Sequence, residues 1–179
     1  YGLTYEEGTL LWGQIKKGKI RPADDETMIE MYKYLVDECG KYGFEQYEIS
    51  NFAKNGLRSK HNSSYWKEQT YLGIGPAAHS YNGNSRQWNI ASVSKYCEML
   101  DKDEIFFEKE ILSTQEKYND FVMVSLRTME GINLDLLKSK FGSEYFDHCM
   151  RSAQAALINK KLKIENNYLR LTSEGVVVS

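Results

Sequence analysis

Tyr47-Glu48-Ile49-Ser50-Asn51-Phe52-Ala53, His61-Asn62-Ser63-Ser64-Tyr65-Trp66 and Gly73-Ile74-Gly75-Pro76-Ala77-Ala78-His79-Ser80 stand close together in the chain. Two of its 3 histidines fall in this stretch, among aromatics and glycines. Tyr47 to Ser50 is short and β-prone. Upstream, Pro22 with Asp24, Asp25 and Glu26 is a strong helix start, because carboxylates favour the positive end of a helix dipole. Met28, Met31, Tyr32, Leu35, Val36 and Cys39 recur at helical spacing, and Gly40 and Gly43 end the run. Before that, Thr9 can cap a short helix ended by Gly18, and Tyr1 to Tyr5 reads as a strand. Strand, helix, strand predicts a βαβ crossover and a parallel sheet, with ligands at the carboxyl ends of its strands. Ser50 to Ala53 is expected at such an end.

Downstream, Lys54 to Lys60 is a polar loop with an Asn55-Gly56 turn, and His61 is read as part of it. Tyr71 to Ile74 predicts a short strand, Asn82-Gly83-Asn84 a tight turn, Arg86 to Asn89 a returning strand, and Val93 to Leu100 a helix. Asp101 to Glu110 reads as a charged connection around Ile105-Phe106-Phe107, with a domain boundary near Glu110.

After the boundary the signals are clean. Ser113-Thr114-Gln115-Glu116 is a capping box opening a helix that carries Tyr118, Phe121, Val122 and Leu126. Asn133 can cap a second helix, and a third runs from Glu144 to Asn159. Leu162 to Glu165 and Tyr168 to Leu171 predict a hairpin around Asn166-Asn167. Three helices and a hairpin make a winged-helix-like unit. Residues 1–110 and 111–179 are therefore expected as two domains of an α/β (α+β) chain.

The apolar fraction of 41% suffices for a packed core, and a net charge of −2 gives no whole-chain footprint for nucleic acid or anionic membrane. Residues 111–179 carry 9 Lys or Arg against 8 Asp or Glu, so the winged-helix-like unit lacks the basic face of a duplex binder. No nucleic-acid partner is expected. No apolar run is long enough to span a bilayer. Cys39, Cys97 and Cys149 lie far apart and predict reduced thiols in a cytoplasmic protein rather than metal ligands. The chain starts at Tyr1 in a strand-like segment and ends just past a helix start, and is expected to be part of a longer protein.

His61 has two readings. One is a solvated loop histidine. The other is a metal or porphyrin ligand, with Tyr65 and Trp66 offering flat apolar surface to a macrocycle and Asn62 orienting the imidazole or holding a turn. Gly73-Ile74-Gly75 is a weak nucleotide fingerprint, because Ala78 stands at the last glycine position. Close backbone packing at a strand end is its plain reading. His79 and Ser80 are adjacent and do not make a catalytic dyad on a strand. Glu48 is a buried partner for an arginine or a ligand contact.

YEISNFA at 47–53, HNSSYW at 61–66 and GIGPAAHS at 73–80 occur in the order and spacing of the oxygen-independent coproporphyrinogen III oxidase-like radical SAM proteins, which this chain resembles along its whole length. Tyr1 to Thr9, Leu126 to Ile132 and Leu171 to Gly175 match as well. The resemblance implies the last part of a partial (β/α) barrel followed by a small C-terminal domain. It implies S-adenosylmethionine and a [4Fe-4S] cluster in the full-length protein. The Cys-x-x-x-Cys-x-x-Cys motif that holds such a cluster is absent here, so this chain alone is expected to be inactive. The family includes oxidases that decarboxylate coproporphyrinogen III and a branch that carries haem. The His-Asn-x-x-Tyr-Trp motif resembles the haem chaperone branch. The resemblance implies His61, Asn62, Tyr65 and Trp66 as haem contacts, with His61 on the iron, and Phe52 and Ala53 as contacts of S-adenosylmethionine. The partners it implies are haem or a porphyrinogen and a haem-acceptor protein. The alternatives are a true oxidase and a non-catalytic winged-helix interaction module. An exposed edge of a truncated barrel is expected to pair with a second copy, as a homodimer, or to be disordered.

Overall fold

The computed structural model describes residues 5–177. The strand expected over residues 1–5 lies, but for Tyr5, outside the described residues, and so does the crossover that would start from it. Helix α1 (Leu10–Lys16) starts at Thr9, whose hydroxyl accepts the Trp12 N–H at 3.2 Å. Helix α2 (Asp25–Lys41) starts at Asp24, whose carboxylate accepts the Thr27 N–H at 2.9 Å. Neither helix has a fully buried residue, and Met31 and Tyr34 on α2 are exposed.

Strand β1 (Phe44–Glu48) turns back at once through Ile49 and Ser50 into β2 (Asn51–Lys54), and the two pair antiparallel. Asn51 to Ala53 is thus the second arm of a hairpin rather than a loop at the end of a parallel strand. Polar side chains close the turn. Gln46 and the Tyr32 hydroxyl donate to the Ile49 carbonyl at 2.8 and 3.1 Å, and the Asn51 amide donates to the Glu48 carboxylate. A further departure comes at His61, which sits in helix α3 (Lys60–Trp66) and not in a loop. The start signal is Ser59, whose hydroxyl accepts the Asn62 N–H at 3.2 Å.

Strands β3 (His79–Tyr81), β4 (Ser85–Asn89) and β5 (Phe107–Ile111) form an antiparallel sheet in that order. The expected strand over Tyr71 to Ile74 is reduced to one bridge, Tyr71 with Tyr81. The charged connection is only partly a loop. Its end is the strand β5, whose charged side chains suit an edge position open to water. Helix α4 (Val93–Asp101) crosses between β4 and β5.

The rest of the chain runs α5 (Thr114–Arg127), β6 (Ile132–Asn133), α6 (Leu134–Phe141), α7 (Ser143–Ile158), β7 (Leu162–Glu165), β8 (Tyr168–Leu171) and α8 (Ser173–Val176). The sheet order β6-β8-β7 is the winged-helix arrangement. Nothing in the sequence announces strand β6, because its two residues carry no periodicity. The main core lies here, with Tyr118, Phe121, Ile132, Leu137, Cys149 and Leu169 buried together.

Main-chain bonds tie the hairpin to this region. Ile49 N–H donates to the Arg127 carbonyl at 3.0 Å, and Met129 N–H donates to the Tyr47 carbonyl at 3.2 Å. Arg58 pairs with Glu130 and with Glu45 and lies over the Tyr47 ring. Lys140 pairs with Glu68 at 2.5 Å, and Arg86 with Asp120. Among the described residues no helix is long and apolar enough to cross a membrane.

The capping box gives a pH prediction. The Ser113 hydroxyl and N–H both donate to the Glu116 carboxylate and hold its pKa below the ordinary value of 4.5. A depressed carboxylate contributes stability that is fully present above its unfolded pKa and is lost as pH falls through the folded one. Glu116→Gln is therefore expected to lower the melting temperature at neutral pH, with the deficit shrinking as the acid limb is reached. A deficit of the same size at every pH, measured by circular dichroism, would contradict this account.

Candidate functional site

Helix α3 sets the geometry of the His-Asn-x-x-Tyr-Trp motif. Residues four apart on a helix share a face, so His61 stands with Tyr65, and Asn62 with Trp66. His61 is exposed, and Tyr65 is 39% exposed. The Tyr65 hydroxyl lies 3.3 Å from His61 Nε2, and the two rings meet edge to face with centroids 5.0 Å apart. Tyr65 in turn meets Tyr71 edge to face at 4.9 Å. Tyr71 exchanges two main-chain hydrogen bonds of 2.9 Å with Tyr81, and their rings lie 6.3 Å apart. A ladder of aromatic rings thus runs from the exposed imidazole on α3 to strand β3. Burial is the main cause that raises the phenol pKa of Tyr71 and of Tyr81, so both hydroxyls stay protonated at neutral pH.

Trp66 faces elsewhere. The Arg127 guanidinium lies over its ring at 5.7 Å, and it lines a cleft of about 470 Å³ with Tyr47, Arg58, Phe121, Thr128 and Tyr168. The four residues of the motif are therefore divided. His61 and Tyr65 present themselves outward, whereas Trp66 and the half-buried Asn62 belong to the next side of the helix. Trp66 and Arg127 dock α3 against α5, which fixes the direction in which His61 points.

Phe52 and Ala53 lie on β2, paired with Gln46 and Glu45. Side chains alternate along a strand, so the two point to opposite faces. Phe52 is half-buried and presents ring surface, whereas Ala53 is 4% exposed and has only its backbone to offer. Glu48 is 1% exposed and takes the Asn51 amide rather than an arginine. Sequence reading missed Asn51 as that partner, although its place just across a two-residue turn from Glu48 was the available signal.

His79 is exposed beside Trp88, with ring centroids 6.4 Å apart. The Ser80 hydroxyl instead accepts the Gly73 N–H at 3.0 Å, so His79 and Ser80 form no dyad. Cys39 is half-buried, Cys97 exposed and Cys149 buried, on three different helices. Burial raises the Cys149 thiol pKa, and Tyr118 beside it is pushed up to about 12, again by burial first. Both are inert core groups.

Among the described residues no group of three or more His, Cys, Asp or Glu could hold a metal ion. The three thiols do not fit an iron–sulfur cluster. A bare ion has no site among these residues either, because one imidazole is too few ligands. Haem iron differs, since the porphyrin itself would supply most of the ligands and a single exposed imidazole could supply another. His61 fits that requirement.

Comparison with known proteins agrees with the motifs. The family model described as the HemN C-terminal domain matches residues 112–178. The heme chaperone HemW of Bacillus subtilis is 32% identical over 143 residues, which is 79% of this chain and 38% of that protein. The heme chaperone HemW of Lactococcus lactis is 29% identical over 176 residues, 98% of this chain and 46% of that protein. A mitochondrial radical S-adenosyl methionine domain-containing protein 1 of Danio rerio is 46% identical over 79 residues, covering 44% of this chain and 18% of that protein. The chain spans less than half the length of these relatives. Among solved structures, the radical SAM enzyme coproporphyrinogen III oxidase (HemN) of Escherichia coli superposes with a TM-score of 0.68 at 11% identity, over 92% of this chain and 42% of that one, a likeness of fold. With the motifs in place along the chain and its C-terminal region matched, this protein belongs to the HemN-like radical SAM family, of which it represents the C-terminal part.

Proposed function

We propose that the chain is the haem-handling and C-terminal part of a haem chaperone that works in the cytoplasm. One observation carries the reading. His61, the imidazole of the His-Asn-x-x-Tyr-Trp motif, stands exposed on α3 with its Nε2 edge beside Tyr65 rather than packed into the core. The relatives named heme chaperones support it. In this reading His61 binds the haem iron and the Tyr65 ring lies against the macrocycle. Trp66 holds α3 in place through its inner side, and haem passes to an acceptor protein. A half-exposed single-ligand site suits a carrier, which has to release what it binds.

Residues 5–110 would pack at the end of the barrel of the intact protein, with 111–177 as a winged-helix-like support without a nucleic-acid role. S-adenosylmethionine and the [4Fe-4S] cluster belong to the intact protein. Phe52 would face S-adenosylmethionine by its ring and Ala53 by its backbone, while the cluster ligands come from outside this chain. The exposed apolar side chains of α2 suit packing against further barrel elements or a second copy.

The test is a haem titration of the intact protein followed by absorbance, beside His61→Ala. The variant is expected to lose the saturable Soret shift, with binding weaker by at least about tenfold. Equal binding by both proteins would remove His61 from the site, and oxidation of coproporphyrinogen III would become the next assay.

A further inference from the structure

We infer that Tyr65 is a positioning residue for His61, one that sets the imidazole tautomer and competes for its Nε2 lone pair. The inference rests on the reading of His61 as a haem ligand and adds to it how the ligand is held before haem arrives and recovered when it leaves.

Among the described residues, the Tyr65 hydroxyl at 3.3 Å is the hydrogen-bond partner that His61 Nε2 has within reach. A phenol can donate to that nitrogen or accept from it. Chemistry favours donation, because a phenol O–H is a stronger acid than the N–H of a neutral imidazole and an imidazole lone pair is a stronger base than a phenolic oxygen. Donation to Nε2 leaves the proton of neutral His61 on Nδ1. That is the tautomer whose Nε2 lone pair an iron can take without a prior proton shift.

The same lone pair cannot serve the phenol and the iron together. Tyr65 must let go when iron binds and can return when it leaves. An interaction that exists only in the free state subtracts from affinity, so the phenol weakens haem binding while keeping the nitrogen ready. Tyr65 itself is steadied by Tyr71, whose main chain is paired with Tyr81 on the sheet. The hydroxyl therefore stays close after release.

The experiment compares Tyr65→Phe with the wild type in the intact protein, labelled with 15N-histidine. The His61 signals are identified by their loss in His61→Ala. Without haem, wild-type His61 is expected to carry its proton on Nδ1, and Tyr65→Phe to move it toward Nε2. With haem, Tyr65→Phe is expected to bind about two- to fivefold more tightly, the effect of removing one modest competing hydrogen bond. Tyr71→Phe keeps the ring contact and should leave both readouts as in the wild type. A wild-type proton on Nε2, or a tautomer unmoved by Tyr65→Phe, would overturn the positioning role. Unchanged or weaker haem binding would overturn the competition. If His61→Ala binds haem normally, the ligand reading fails instead, and the tautomer comparison still decides whether Tyr65 holds the imidazole.

Discussion

Gly131→Ala is expected to cost the fold about 3 kcal/mol or more, among the larger losses a single methyl group can cause. Gly131 links α5 to β6 at a φ of +74°, a left-handed conformation that costs an alanine about 1–2 kcal/mol by itself. The added Cβ would also stand inside contact distance of the Leu169 carbonyl, 2.7 Å from Arg170 Cγ and 3.0 Å from Arg170 Cα. The Arg170 side chain can swing away, but the Leu169 carbonyl is main chain in β8. Leu169 pairs with Ile132, and both are almost wholly buried in the main core. Moving β8 back would open that pairing and leave space around Ile132 and Leu137. The measurement is urea denaturation of the wild type and the variant. A lower midpoint at unchanged slope is expected. A loss under about 1 kcal/mol would mean that the Leu169 carbonyl yields to the added methyl without disturbing the pairing of β6 with β8.

The winged-helix region was legible in the sequence because local signals and packing agree there. The Ser113–Glu116 box and the Asn133 cap satisfy orphan backbone N–H groups with nearby side chains, the Asn166-Asn167 turn takes the positive φ of +50° and +65° that a tight hairpin needs, and each appears as read. The first half was less legible. Its antiparallel hairpin depends on Gln46, Tyr32 and Asn51 closing the turn at Ile49, and the Tyr32 contact comes from the preceding helix. No period in the sequence announces such a contact. The edge strand β5 hid in a charged segment because an edge keeps its charges in water. At the site, the motif named the residues, but helix α3 decided which of them stand together. Reading His61 as a loop residue put Tyr65 and Trp66 in one apolar plate. The Ser59 cap turns the segment into a helix, places Tyr65 beside His61 and sends Trp66 to Arg127. Four residues give one exposed pair, His61 with Tyr65, and one inner pair, of which Trp66 docks on Arg127.

The same logic applies to Gly73, where close backbone packing was the plain reading of Gly73-Ile74-Gly75. A Cβ on Gly73 would meet the main chain of His79, with the carbonyl carbon at 2.7 Å, the nitrogen at 2.8 Å and the oxygen closer still. None of these atoms can rotate away. Gly73→Ala must therefore push residues 71–75 off β3, at a cost of about 2–4 kcal/mol. The groups lost are specific. Gly73 N–H leaves the Ser80 hydroxyl, the buried Asn89 amide loses the Gly75 carbonyl it reaches at 2.9 Å, and the Tyr71–Tyr81 pairing opens. Tyr65 then has no fixed ring behind it, so the change should reach His61 without touching α3. Amide hydrogen exchange at Tyr71 and Tyr81 is expected to rise by about tenfold or more in Gly73→Ala, while amides of the β6-β8-β7 sheet keep their protection. Haem binding should then resemble that of Tyr65→Phe, because the hydroxyl would no longer be held at Nε2. If exchange at Tyr71 rises and haem binding stays at the wild-type value, the aromatic ladder supports the sheet alone and Tyr65 keeps its place through α3 by itself.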